Sequence, residues 1–292
     1  MSPAPRADTI EVTAELLRDH PLPDPGAATD KNERGIVLVI GGSAETTGAV
    51  VLAGLAALRV GAGKLQLATV MSGRAPLAAA VAEARVIGLD ELSSGAIDPG
   101  AANDLVEVAA KAHAVVVGTG TMDPGPTGEL RDHLLGAVEE PVVILDAGAL
   151  PGLEHPPQPR TVLIPNPTEM EALLGRSVDD ARAAVVEASE RFGTTVALRG
   201  PDTWVAGPDQ PVCVLRHGHP GLATSGSGDV LAGALGGLAA RGADPFTATL
   251  WAVALHAAAG RRLADRIAPV GFLARELLDE LPAALDESRK SR

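Results

Sequence analysis

What most narrows the fold is a pattern that recurs along the chain: short runs of branched apolar residues, each stopping at glycine, an acid or an amide. GIVLVIGGS (35–43), AVVVGTGT (114–121), PVVILDAGAL (141–150) and TVLIPNPTE (161–169) all follow it. Unbroken apolar runs of this length suit strands buried on both faces, as in a parallel sheet. Helical patterns lie between them, at 48–60, 75–83, 101–112, from near Thr168, and at 178–192, 245–265 and 270–281. The segments TTVALRG, TWVAGP and PVCVLRH read as further strands, the first two joined by a turn at 200–202. Together these predict an α/β fold with a mostly parallel central sheet flanked by helices on both faces. In open sheets of this class ligands collect outside the C-terminal strand ends, so Gly41, Gly118, Gly120, Asp146 and Asn166 are expected around one cleft. Each taken alone also fits a tight turn.

Composition sets limits on function. Hydrophobic residues make up 46% of the 292 positions but aromatics only 2%, with no Tyr, so the core must be built from Ala, Val and Leu. A net charge of −13 without basic stripes or stacking aromatics argues against nucleic acid. The single Cys213 rules out an internal disulfide framework, and no Cys/His spacing of the zinc type occurs. With no basic-then-apolar leader and no apolar run of about 18 residues, a soluble cytoplasmic protein is expected, with neither signal peptide nor membrane span. Residues 1–34 read as an arm packed on the domain, with a helix near 12–18 and an extended stretch through Pro21, Pro23 and Pro25. Residues 35–286 read as a single domain, and 287–292 as a loose tail.

The stretch HGHPGLATSGSGDVLAG (217–233) carries the chemistry. Its glycines permit positive φ and close ligand approach, and an Ala/Leu/Gly run follows as a helix. A glycine loop entering a helix is an anion site: the first-turn amides and the helix dipole favour phosphate, with Ser225 and Ser227 adding hydroxyls to the amides of 226–228. Asp229 does not suit that role, because a carboxylate repels an anion. It reads either as a helix N-cap or as a group that accepts a proton from a hydroxyl meeting phosphorus. His217 and His219 read as polar loop residues, not a metal pair. GGSAETTG lacks GxGxxG spacing, and Lys64 lacks the glycine and hydroxyl partners of a P-loop.

Taken in order, GGSAETTGA, GAGK, VVVGTGT, LDAGAL, PNPTE, LRG and GLATSGSGDVLAG resemble the ADP-dependent (S)-NAD(P)H-hydrate dehydratase family of the ribokinase-like superfamily, over about residues 10–285. The resemblance implies repair of hydrated NADH or NADPH using ADP and Mg²⁺, with Asp229 as catalytic base. It implies substrate contacts at Ala49, Gly120, Asn166 and Asp229, and nucleotide contacts at Arg199, Gly200, Pro201, Asp202, Thr203 and Gly228. It also implies a homo-oligomer, with a tetramer among the options. Two positions depart from the family: Asn166 stands where His is common and Arg199 where Lys is common, so the first cannot carry charge and the second offers a planar fork. A ribokinase-like kinase for a vitamin or sugar alcohol, and a non-catalytic nucleotide sensor, share the loop and are the competing expectations.

Overall fold

The structure, a computed structural model, describes residues 9–24, 26, 30–154 and 160–290. Pro25, the start of the expected arm (1–8) and the end of the expected tail (291–292) lie outside the described residues. One sheet holds the ten described strands. They are β1 (Ile10–Glu11), β2 (Ile36–Ile40), β3 (Lys64–Val70), β4 (Ala84–Leu89), β5 (Ala114–Val117), β6 (Val142–Leu145), β7 (Thr161–Leu163), β8 (Thr195–Leu198), β9 (Thr203–Ala206) and β10 (Cys213–Leu215). Their order is β1-β10-β9-β8-β7-β6-β5-β2-β3-β4, and every neighbouring pair is parallel except the two that β9 makes.

Alternation along the strands divides the core in two. Val37, Val39, Leu67, Val116 and Ile144 face one layer, made by α2 (Gly48–Arg59), α8 (Ser227–Ala240), α9 (Pro245–Arg266) and α10 (Ala274–Lys290). Leu38, Ile40, Val117 and Leu145 face the other, made by α4 (Ala102–Ala110), α5 (Pro124–Ala137), α6 (Pro167–Leu174) and α7 (Ala181–Phe192). This is the predicted sandwich of helices on both faces. The α2 and α8 backbones almost touch: a Cβ at Gly233 would lie 1.9 Å from the Ala53 carbonyl oxygen, so only glycine fits. That close crossing fixes where α8 begins relative to the strand ends.

The arm is tied down. Ile10 and Val12 donate to the Val212 and Val214 carbonyls, α1 (Ala14–Asp19) follows, and Trp251 Nε1 donates 2.7 Å to the His20 carbonyl. Three local expectations need correcting. Residues 287–290, expected as loose tail, continue α10 through Pro282, held by Lys290–Asp286 at 2.6 Å and Arg262–Glu287 at 2.5 Å. The helix expected at 75–83 starts at Met71 as α3 (Met71–Ala80), leaving 84–89 for the unforeseen β4. α5 was also unforeseen, because its sequence PGPTGEL carries two prolines and two glycines in the first turns; Asp123 caps it and both prolines fall where no amide donor is needed.

Candidate functional site

The C-terminal ends of β2, β5 and β6 form a shelf. Gly41 donates to the Ala68 carbonyl and Gly42 to that of Thr119, while the Thr46 hydroxyl donates to the Gly120 carbonyl. Gly120 has φ of 69°, and a Cβ there would lie 2.6 Å from Ala49 Cβ, so two residues expected at the substrate are brought into contact. At the end of β6 the Asp146 side chain is buried beside Gly118.

Next to this shelf lies a cavity of about 720 Å³. Its walls come from the β8–β9 turn, the loop after β10, the start of α8 and one face of α9. Of the predicted nucleotide residues, Arg199, Gly200, Pro201, Thr203 and Gly228 line it, joined by Ser227 and by Asn166. Asp202 does not: its carboxylate turns away to accept from the His217 amide at 2.9 Å and from Arg216 at 3.4 Å, bracing the loop where His217 takes φ of 58°. Ala49, Gly120, Asp229, Ser225 and Gly226 also lie off the cavity wall. His219 accepts from the Gly221 amide and packs on Phe272, and among the described residues no His/Cys/Asp/Glu group of three forms a metal cluster.

The start of α8 separates the two regions. Gly226, at φ 88°, is its N-cap and makes no side-chain cap. Asp229 is therefore not the N-cap; it sits in the first helical turn, half-buried, two residues past Ser227. Among the described backbone bonds the amides of Gly226, Gly228 and Asp229 have no partner, whereas Ser227 donates 3.2 Å to the Thr224 carbonyl. Burial pushes the Asp229 carboxyl up, to about 7; the Asp146 charge adds to the rise and Arg199 opposes it. A carboxylate with that affinity is matched to taking a proton at neutral pH.

Arg199 links these parts. Its Nη2 donates to Asp146 at 3.0 Å and to Glu169 at 3.2 Å, and its Nη1 lies 2.0 Å from where a Gly228 Cβ would be. The Nη1 end of the fork thus abuts the second residue of α8. Asp146 is nonetheless raised: its burial outweighs the attraction of Arg199, and Glu169 adds to the rise. Glu169 also closes a capping box, accepting from the Asn166 amide at 2.8 Å while Asn166 Oδ1 accepts from the Glu169 amide at 2.9 Å. Asn166 therefore spends its carbonyl on capping α6 and has its Nδ2 to offer the cavity.

Sequence reasoning missed the pairings of three groups here. Asp146 was visible as a strand-end acid, but its pairing with a residue 53 positions later was not. Glu169 had the capping-box spacing N-x-x-E as its signal. His256, on α9 and lining the cavity, contacts Ser227 at 2.8 Å; its signal was a lone polar residue in the apolar run AVALHAAAG.

Residues 37–283 match the family described as NAD(P)H-hydrate dehydratase. An ADP-dependent (S)-NAD(P)H-hydrate dehydratase from Xanthomonas campestris is 47% identical, over 97% of each chain. The crystal structure of an ADP/ATP-dependent NAD(P)H-hydrate dehydratase from Bacillus subtilis, co-crystallised with ATP/Mg²⁺ and soaked with CoA, superposes with a TM-score of 0.80. It is 28% identical and covers 97% of this chain and all of its own. A ribokinase-like superfamily protein from Enterococcus faecalis, 22% identical with TM-score 0.78 and 96% of each chain covered, shares the fold. The sheet order, the loop before α8 and these matches agree: the fold is ribokinase-like, and the chain belongs to the NAD(P)H-hydrate dehydratase family.

Proposed function

We propose that this protein is a carbon–oxygen lyase that dehydrates the S epimer of NADH or NADPH hydrate at the expense of ADP, restoring the dinucleotide and releasing AMP and phosphate. The observation that carries the reading is the start of α8. Its first two residues face a cavity large enough for a nucleotide, and its third, off that wall, is a carboxylate raised to about 7. A site that only bound phosphate would be weakened by that acid, so the acid favours catalysis over sensing.

The chemistry follows from these groups. Hydroxide leaves carbon poorly, whereas a phosphate ester leaves readily. With the adenylate of ADP in the cavity, the terminal phosphoryl group would lie at the free amides of Gly226 and Gly228, the site a helix N-terminus offers an anion. Asp229 takes the proton from the hydrate hydroxyl as that oxygen bonds to the β-phosphorus and the bond to AMP breaks. The carbon–oxygen bond then breaks, its electron pair leaving with phosphate, which takes up the proton lost from the neighbouring carbon as the ring is restored. Ala49 and Gly120 would receive the hydrate on the shelf, with the Asn166 Nδ2 as a neutral donor. A general base of this kind is worth about 10² to 10⁴ in rate.

Mg²⁺ fits as an ion carried in on the phosphates. Such ions need only one or two carboxylates, and Asp229 is the one at hand, since Asp146 and Glu169 are both held by Arg199. It would offset phosphate charge. A single cysteine, Cys213, buried and free, fits a reducing compartment such as the cytoplasm. Among the described residues no helix is long and apolar enough to cross a membrane. Association of several copies is also proposed, with the exposed Ile267, Val270 and Leu273 as available apolar surface and light scattering as the check.

The test is direct. Purified protein with freshly prepared S hydrate, Mg²⁺ and ADP should regain the near-ultraviolet absorbance of the reduced nicotinamide, with AMP and phosphate in equal amounts. A persistent phosphorylated dinucleotide would make the protein a kinase, and bound ADP with nothing converted would make it a sensor.

A further inference from the structure

His256 takes no part in the chemistry above, yet its ring is the polar group of α9 in the wall of the cavity. One ring nitrogen, Nε2, lies 2.8 Å from Ser227 Oγ and 3.0 Å from the Ser227 carbonyl oxygen. A carbonyl oxygen only accepts. A bare Nε2 at 3.0 Å would set two lone pairs against each other, so the proton belongs on Nε2, which then donates to both oxygens of Ser227 as a three-centre bond. Burial pushes the imidazole down, to about 4, helped by the Arg199 charge and opposed by the bond to Ser227, so at neutral pH the ring holds only that one proton.

The consequence falls on Ser227. Its hydroxyl has a donor, not an acceptor, in His256, so its own proton must go to another acceptor. Ser227 is the first residue of α8 and lines the cavity, next to the partnerless amides of Gly226 and Gly228. We propose that His256 is a positioning residue which, as the Nε2–H tautomer, commits the Ser227 hydroxyl proton to a phosphate oxygen of the nucleotide. Two protein donors then become three at one anion, and the serine arrives already oriented. This inference rests on reading the cavity as the ADP site.

Two measurements test it. In the ligand-free, ¹⁵N-labelled protein, ring nitrogen shifts of His256, identified by their absence in His256→Gln, should show Nε2 protonated and Nδ1 bare. The opposite tautomer would overturn the proposal. In steady-state assays His256→Leu should raise KM for ADP roughly 10-fold, the scale of one hydrogen bond to a charged group, with a smaller change in kcat. His256→Gln, whose side-chain amide can donate where Nε2 does, should stay near wild type. Ser227→Ala combined with His256→Leu should be no worse than Ser227→Ala alone. Additive losses, or a glutamine variant as poor as leucine, would reduce His256 to packing and overturn the proposal. If calorimetry finds no ADP binding to the wild-type protein, the nucleotide reading of the cavity fails instead, and the tautomer result still decides what His256 does to Ser227.

Discussion

Replacing Asp229 by Asn should make the protein more stable and nearly inactive, and the two effects have one cause. A free Asp carboxyl titrates at 3.8, whereas in the fold Asp229 is raised to about 7, first by burial and then by the charge of Asp146. Between those values the unfolded chain is ionised while the folded chain keeps its proton. The folded state then binds more protons, so stability falls as pH rises from about 4 to about 7, and the whole penalty is present above 7. A rise of that size corresponds to a ceiling of about 4 kcal/mol; for a half-buried group in contact with solvent, about 1 to 2 kcal/mol is the reasonable share. Asn keeps the shape and removes the charge. Thermal melts at pH 8 should therefore show the variant a few degrees above wild type, with the gap shrinking at pH 5. Turnover should fall by at least about 10²-fold, because the proton acceptor is gone. A variant less stable than wild type at pH 8, or a gap that ignores pH, would refute the reasoning, since it would mean that Asp229 is ionised and held by partners.

Wild-type kcat/KM should rise with pH through a limb near 7 as Asp229 loses its proton, and residual activity of the Asn variant should lack that limb. Gly228→Ala would place a Cβ 2.0 Å from Arg199 Nη1 and drive the guanidinium off Asp146 and Glu169. With Asp146 left buried and unpaired, a loss of about 3 kcal/mol in stability is expected along with weaker ADP binding by calorimetry, and unchanged values would show that Arg199 relocates freely. Glu169→Ala should cost about 1 kcal/mol by opening the capping box, whereas Glu169→Gln should keep it; denaturant melts separate the two.

The sequence made the layers legible because the strand runs are apolar throughout and stop at glycine or a polar residue, a local signal. Motif order is what singled out Ala49, Gly120 and the α8 loop as candidates. What stayed hidden depends on distance in the chain. Arg199 reaches back 53 residues to Asp146 and 30 to Glu169, and His256 reaches back 29 to Ser227, pairings that no spacing rule encodes. The direction of a side chain was also out of reach: Asp202 belongs to the nucleotide segment by sequence, yet it turns to the His217 amide. β4 went unread because ARVIGL breaks its apolar run with an arginine and a glycine, and its residues are only partly buried at this sheet edge. Gly228 was expected to be small for the sake of a ligand; the structure gives a nearer reason, the Arg199 fork abutting it.

The central claim is that the hydrate hydroxyl itself attacks the β-phosphorus of ADP before it leaves carbon. Hydrate prepared with ¹⁸O in that hydroxyl, turned over in unlabelled water with ADP and Mg²⁺, decides this by mass analysis of the released phosphate. The oxygen that left the ring should be found in the phosphate, one label per molecule, in step with the recovery of NADH. Unlabelled phosphate alongside restored NADH would contradict the claim, because water would then have attacked ADP and the hydroxyl would have left carbon without ever bonding to phosphorus.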